Sequence, residues 1–379
     1  MQVESRTFAA GAWSAPLPTT LDSARTLVFV AAAPELCDDP APFAELRRAF
    51  PQATMMGCSG SGEIAGAAVH DHSVVVAIAR FEHTSLATAM APANGEAGAT
   101  LARALGDRGD RGPLRSVLVL SDGLAVNGTE LVRGLNSALP AGVVVTGGLA
   151  GDGDRFKRTW VLDGDAPKSG LVTAVGIYGD QFKVSHGSNG GWDKFGPERV
   201  VTRSEGNVLY ELDGRPALAL YKEYLGERAG GLPATGLLFP LAIRAGQKDE
   251  KSLVRTILGV DEAKQSMTFA GDVPQGHLAQ LMKANFERLI SGASDAATLA
   301  AAIPGAGAGS PTLAIAISCV GRRLVLGERA EEELEATLAA LPNLTTQVGF
   351  YSYGELSPYG SGDCDLHNQT MTLTLLSEA

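Results

Sequence analysis

The sequence predicts an α/β protein (mixed α+β) of two domains, built from repeated strand-helix-strand units and mixed sheets. Three observations carry this. Short β-branched runs alternate with amphipathic stretches along the chain. At 379 residues it is longer than one ordinary core fills. A segment of strand, helix, glycine-rich turn and strand recurs, and the recurrence runs through three copies.

Taken in order, strands are expected at "TLVFVAA" from Thr26, "HSVVVAIARF" from His72, "SVLVLS" from Ser116, "GVVVTG" from Gly142, "GLVTAVGIY" from Gly170, "TLAIAIS" from Thr312 and "TMTLTLL" from Thr370. Helices are expected at "PFAELRRAF" from Pro42, "TELVRGLNSAL" from Thr129, "RPALALYKEYLG" from Arg215, "GHLAQLMKANFERLIS" from Gly276 and "ERAEEELEATLAAL" from Glu328. Each carries apolar residues three and four apart on one side and charge on the other. "GERAGGLP" from Gly226 has the composition of a domain junction, and "IPGAGAGSP" from Ile303 that of a linker or exposed loop.

The first copy of the repeat is "LVFVAAA", a helix, "GCSGSGE" and "HSVVVAIARF"; the second is "VLVLSDG", a helix, "GGLAGDG" and "SGLVTAVGIYG"; the third is "LAIAISC", a helix, "GFYSYGE" and "HNQTMTLTLL". First strand and loop glycine are 30 residues apart in two copies (Leu27 to Gly57, Val117 to Gly147) and 36 in the third (Leu313 to Gly349). Each turn carries an acid: Glu63, Asp152 and Glu355. Two readings stand: duplicated turns that meet at one cleft, or glycines that only close strand ends.

Composition narrows the function. With 31 basic and 42 acidic residues the formal charge is −11, which repels phosphate backbones and anionic lipid. Nucleic-acid binding and membrane association are not expected. The four cysteines lie far apart with no CxxC pair, against a disulfide framework. The start lacks a basic region followed by an apolar core, and no apolar run approaches the ~20 residues that span a bilayer, so a soluble cytoplasmic protein is expected.

The chemistry centres on "GCSGSGEIAG", Gly57 to Gly66. A phosphate loop needs a lysine, and Glu63 would repel the phosphates. A dinucleotide fingerprint sits between the first strand and its helix, whereas this turn follows the second strand. Cys58 beside Ser59 is either a nucleophile lowered by a histidine or helix N-terminus, or a buried inert thiol. Cys364 and His367 are three apart, but no second metal-binding pair follows. His70 to His72 suits a solvated turn. His186, in a glycine-rich stretch before Trp192, is either presented to a cavity or a satisfied loop residue. No CxxCH is present, so covalent c-type haem is excluded, while non-covalent haem needs only one axial histidine and apolar walls. The closing "GFYSYGELSPYGSGDCDLHNQT" gathers Tyr351, Tyr353, Glu355, His367 and Asn368, aromatic bodies with polar tips suited to enclosing a small organic ligand or to a packed seam. No HExxH or GxSxG constellation supports an enzyme.

"GCSGSGEIAG", "SDGLAVNGTELVRGL", "GGLAGDGDRF", "GPERVVTRSEGNVLYELDGRPALALYKEYLG", "GDVPQGHLAQLMKANFERLI" and "GFYSYGELSPYGSGDCDLHNQTMTLTLL" together resemble the FIST sensory module, over about Thr26 to Leu376. The resemblance implies halves at residues 24–219 and 220–356, with a closing strand to about 376. It implies a non-catalytic input protein of bacterial signal transduction that binds a small ligand, amino acids being proposed for many members. A chain without output modules would act on a separate sensor histidine kinase or a diguanylate cyclase or phosphodiesterase. That layout is similar to the nitric-oxide-sensing NosP subgroup, with a non-covalent b-type haem. On this view Cys58, Ser59, Glu63, Asp152, Tyr351, Tyr353, Glu355 and Asn368 are the expected ligand contacts, and His186 and His367 the candidate axial ligands. The cleft is expected where the halves meet.

Overall fold

The computed structural model describes residues 1–379 apart from 107–108, 250, 303–308 and 361, so most of the expected linker from Ile303 lies outside the described residues. The three sequence copies form three pseudo-equivalent units. In the first, strand Thr26–Ala32 runs parallel to Thr54–Ser59 after helix Ala41–Ala49, and Val74–Arg80 returns antiparallel. In the second, Leu114–Ser121, helix Gly128–Ala138, Val144–Leu149 and Leu171–Tyr178 repeat the arrangement. In the third, Thr312–Cys319, helices Val320–Leu326 and Ala330–Ala340, Thr345–Ser352 and Met371–Glu378 do so again. Each return strand is flanked by one more strand, respectively Gln2–Ala9, Ser85–Pro92 and Phe182–Asn189.

The acid-bearing turns open hairpins that cross to a neighbouring unit. Glu63–Ala65 pairs with the third unit's Thr345–Ser352, Gly354–Pro358 with the second unit's Val144–Leu149, and Val161–Asp163 with the first unit's Thr54–Ser59. This cyclic exchange closes the three sheets into a ring.

Strand alternation builds the core. Leu27, Phe29, Leu118, Leu120, Ile315 and Ile317 face one shared interior. The intervening Val28 and Val30 turn towards helix Ala41–Ala49, and Val117 and Val119 towards Gly128–Ala138. Being covered on both faces is why these strands read as unbroken apolar runs.

Residues 193–283 are inserted in the third unit, between Phe182–Asn189 and helix Phe286–Ala302. They form a separate sheet in the order Leu253–Arg255, Leu241–Arg244, Leu278–Lys283, Asp193–Glu205, Val208–Leu212, Ser266–Phe269, Ile257–Asp261. It has its own core around Val201, Tyr221, Phe269 and Leu281. "GERAGGLP" begins a 3-10 turn, Gly226–Gly231, inside this insertion. The helix expected from Gly276 is corrected here. Leu278–Lys283 is a strand with partners on both sides, and the helix begins only at Phe286. Ala279 and Leu281 alternate into the core, and a central sheet position outweighs helix propensity.

Gly187 sets the spacing around the strand that bears His186. A Cβ there would overlap the carbonyl oxygen of Ala296, so only glycine lets helix Phe286–Ala302 lie this close to the strand.

Candidate functional site

The three turns converge. Ser61 donates its N–H to Tyr351 O at 2.8 Å and Tyr351 to Gly62 O at 2.9 Å; Gly151 donates to Ser59 O at 3.0 Å and Tyr353 to Leu149 O at 3.1 Å. Gly153 N–H reaches Ser61 Oγ at 2.9 Å. The meeting point is knitted by backbone bonds, and its side chains end on protein partners in most cases.

Cys58 is fully buried, and burial, with Glu63 adding repulsion, raises its thiol well above the ordinary value. It is therefore a thiol at neutral pH, not an activated thiolate. Ser59 Oγ accepts Trp160 N–H at 3.2 Å. Glu63 Oε2 accepts from Ser73 Oγ at 2.8 Å while Oε1 has no partner among the described residues, and burial pushes the carboxyl up to about 8. Glu355 is the third unit's counterpart. Its Oε1 accepts from Ser352 Oγ at 2.8 Å and its Oε2 from Thr370 Oγ1 at 2.8 Å, and burial again raises it to about 8. Three donors, counting Thr370 N–H, favour a carboxylate here, so the case for a neutral acid is stronger at Glu63.

Asp152 behaves differently. It caps the N–H groups of Phe156, Lys157 and Arg158 at 2.9, 2.8 and 2.8 Å and accepts the Tyr353 hydroxyl. Burial opposes ionisation, but these bonds outweigh it and the pKa is lowered. The loop so fixed stacks Phe156 on Tyr353, ring centroids 4.6 Å apart. Tyr351 is buried and donates to Glu333 Oε1 at 2.9 Å. Glu333 in turn pairs with the buried Arg322 at 2.8 Å. Asn368 is buried with both amide atoms unpartnered among the described residues.

A large cavity lies elsewhere. A hollow of about 1170 Å³ is lined from both halves of the chain, by the end of helix Gly128–Ala138 and the start of strand Val144–Leu149, by residues 186–192, and by the hairpin around Tyr359. Leu139, Val144, Val254, Met282 and Leu299 give it apolar walls, with Trp192 and Tyr359 as aromatic ones. Of the ten residues singled out in the sequence, His186 and His367 border it, and the other eight do not.

The two histidines differ. His367 is buried, hydrogen-bonds through Nε2 to Ser357 O at 2.9 Å, and lies parallel to Tyr359 at 6.4 Å. Burial lowers its pKa to about 4. His186 is half-buried, with no hydrogen-bond partner among the described residues, and burial lowers its pKa, so it is neutral at pH 7. A neutral imidazole with both nitrogens uncommitted, on the wall of a large cavity with apolar and polar lining, fits an axial haem ligand. Arg288 also borders the cavity, its Nε bonded to Asp193 Oδ1 at 3.0 Å.

Three pseudo-equivalent α/β units closed into a ring, with an inserted sheet beside a large histidine-bearing cavity, define the class of protein. The chain belongs to the FIST family: residues 26–215 match the FIST N domain and residues 217–358 the FIST C domain. FIST domains are sensory modules of signal transduction that bind small ligands. Similar proteins include an uncharacterized protein of Mycobacterium tuberculosis, 29% identical over 272 residues, 68% of this chain and 67% of the relative. Another is an uncharacterized protein of Mycobacterium bovis, 29% identical over 290 residues, 71% and 69% of the two chains. A crystal structure of cyanuric acid hydrolase from A. caulinodans is similar at a TM-score of 0.34 and 10% identity, over 99% of this chain and 98% of that one. At that level the hydrolase's activity is not carried to this chain. No helix among the described residues is long and apolar enough to cross a membrane.

Proposed function

We propose that this FIST protein is a non-catalytic sensor whose ligand occupies the 1170 Å³ cavity, with b-type haem as ligand and nitric oxide as signal. The observation that carries the reading is His186, neutral, without a hydrogen-bond partner among the described residues and on the cavity wall. The volume lies just above the roughly 300–1,000 Å³ of ordinary small-molecule sites, which suits a ligand as large as a macrocycle. His186 would hold the iron and Trp192, Met282 and Val254 would pack against the macrocycle, with Arg288 available to its carboxylates. Bound haem would supply a diatomic-gas coordination position. His367 is the weaker candidate because its Nε2 already serves Ser357 O. The signal would pass by contact to a separate histidine kinase or cyclic-di-GMP enzyme. The raised pKa of buried Cys58 favours sensing over nucleophilic catalysis.

Haem-supplemented protein is expected to show a Soret band that His186→Ala removes and His367→Ala keeps. Colourless protein after supplementation refutes the haem reading. A second reading, an amino-acid ligand without haem, draws on Arg288, a cation on the cavity wall that would receive the ligand's carboxylate. It predicts a rise in Tm with one amino acid, as native-state binding requires.

A further inference from the structure

We propose that a second cavity, of about 650 Å³, binds a small organic carboxylate, with Arg255 receiving the carboxylate group. It lies between helix Gly128–Ala138, the hairpin ending at His367 and the strands Leu241–Arg244 and Leu253–Arg255 of the inserted sheet. This goes beyond the sensor reading, which concerns the other cavity.

Arg255 is 3% exposed. Its Nε donates to Asp272 O at 3.0 Å and its Nη1 to Val254 O at 3.2 Å and Leu366 O at 3.0 Å, while Nη2 has no acceptor among the described residues. Its hydrogen-bond partners are thus neutral carbonyls, and the carboxylates of Asp272 and Asp365 favour its charge through space without bonding to it. The other deeply buried arginine, Arg322, has the carboxylate of Glu333 at 2.8 Å. A guanidinium does not lose its proton in a protein, and a buried charge without a hydrogen-bonded counter-charge is the costly arrangement.

The other cations on the cavity are already matched: Arg133 to Asp272 at 3.4 Å, Arg244 to Glu198 at 2.6 Å and Lys251 to Asp365 at 2.6 Å. Of the remaining acids, Asp363 is exposed and Asp249 accepts the N–H of Lys251 at 3.0 Å. Among the described lysines and arginines of this cavity, Arg255 alone lacks an ion-pair partner, and it is the deepest. Val132, Ile243, Leu253 and Leu366 supply apolar wall, which suits an acid with a hydrocarbon body better than a bare inorganic anion. With Nε and Nη1 committed, the two N–H groups of Nη2 are the donors left for a carboxylate, and a charge-assisted bond from them is stronger than a neutral one.

The test is calorimetric titration of the full haem-free chain, so that the result does not depend on what the other cavity takes. The probes are isovalerate and benzoate, their matched amides isovaleramide and benzamide, and inorganic phosphate. At least one acid is expected to saturate one site, at least tenfold more tightly than its amide. Arg255→Met keeps the stem and removes the unpaired charge. It leaves the carbonyls of Asp272, Val254 and Leu366 without their donor, so its folding is checked by urea unfolding, and the folded variant is expected to lose the preference for acid over amide. Ser137→Trp narrows the cavity from the helix side without touching Arg255 and is expected to weaken acid binding at least tenfold. Binding of phosphate alone, equal binding of acid and amide, no binding of either acid, or a preference that survives Arg255→Met overturns the proposal.

Discussion

Glu63→Gln is expected to stabilise the protein by an amount that grows with pH. Glu63 is 1% exposed, keeps one hydrogen bond, from Ser73, and is pushed up to about 8 by burial, which the Ser73 bond only partly offsets. The unfolded carboxyl titrates near its ordinary value of about 4.3. Between these two values the folded state holds a proton that the unfolded state has released. Stability therefore falls as pH rises, by about 1.4 kcal/mol per unit. The loss begins near the unfolded value and is complete above the folded one. At pH 7 it reaches about 3–4 kcal/mol. Glutamine stays neutral throughout and keeps an acceptor for Ser73. The gap in favour of the variant should be about 1 kcal/mol near pH 5, about 3–4 kcal/mol near pH 7, and constant above about pH 8. Urea unfolding midpoints at these pH values measure it. A gap that does not widen, or a variant less stable at every pH, would mean that Glu63 is ionised in the folded protein, as a seat for an ammonium group requires.

Two further outcomes follow from buried polar networks. Arg322→Met leaves Glu333 buried without its cation, although Tyr351 and Ser318 still donate to it. It should cost about 3–5 kcal/mol, most of it recovered by adding Glu333→Leu; additive losses in the double variant would contradict the account. Asp152→Ala removes the acceptor of three N–H groups and of the Tyr353 hydroxyl. It should loosen the loop by about 1–3 kcal/mol, read as faster tryptic cleavage after Lys157 and Arg158, and unchanged cleavage would show that the loop is held by other contacts.

The three repeated units were legible because each strand is covered on both faces, which writes "VFVA", "VLVL" and "AIAI" as continuous apolar runs at similar intervals. The exchange of hairpins between units was not, since pairing Glu63 with Phe350 or Leu149 with Gly354 is a long-range choice that leaves no local pattern. The inserted sheet was hidden for another reason: its strands are short and partly polar, and "HLAQLMK" satisfies both a helical and an alternating period until its neighbours decide. The convergence of the acidic turns was foreshadowed by their repetition, yet repetition alone does not distinguish a hollow from a hydrogen-bonded junction. His186 and His367 stood out by residue type, although 181 positions separate them in the chain. Arg255 gave no signal in the sequence, because its strand Leu253–Arg255 is three residues long and its burial beside neutral carbonyls is set by contacts distant in the chain.

Hydrogen exchange of the full chain with and without haemin tests the sensor account most directly, because it asks where a ligand sits rather than whether one binds. The account predicts new protection at residues 139–145 and 186–192, which border the large cavity, and none at the turns around Glu63, Asp152 and Glu355. Protection confined to those turns, with the cavity walls exchanging as before, would contradict it.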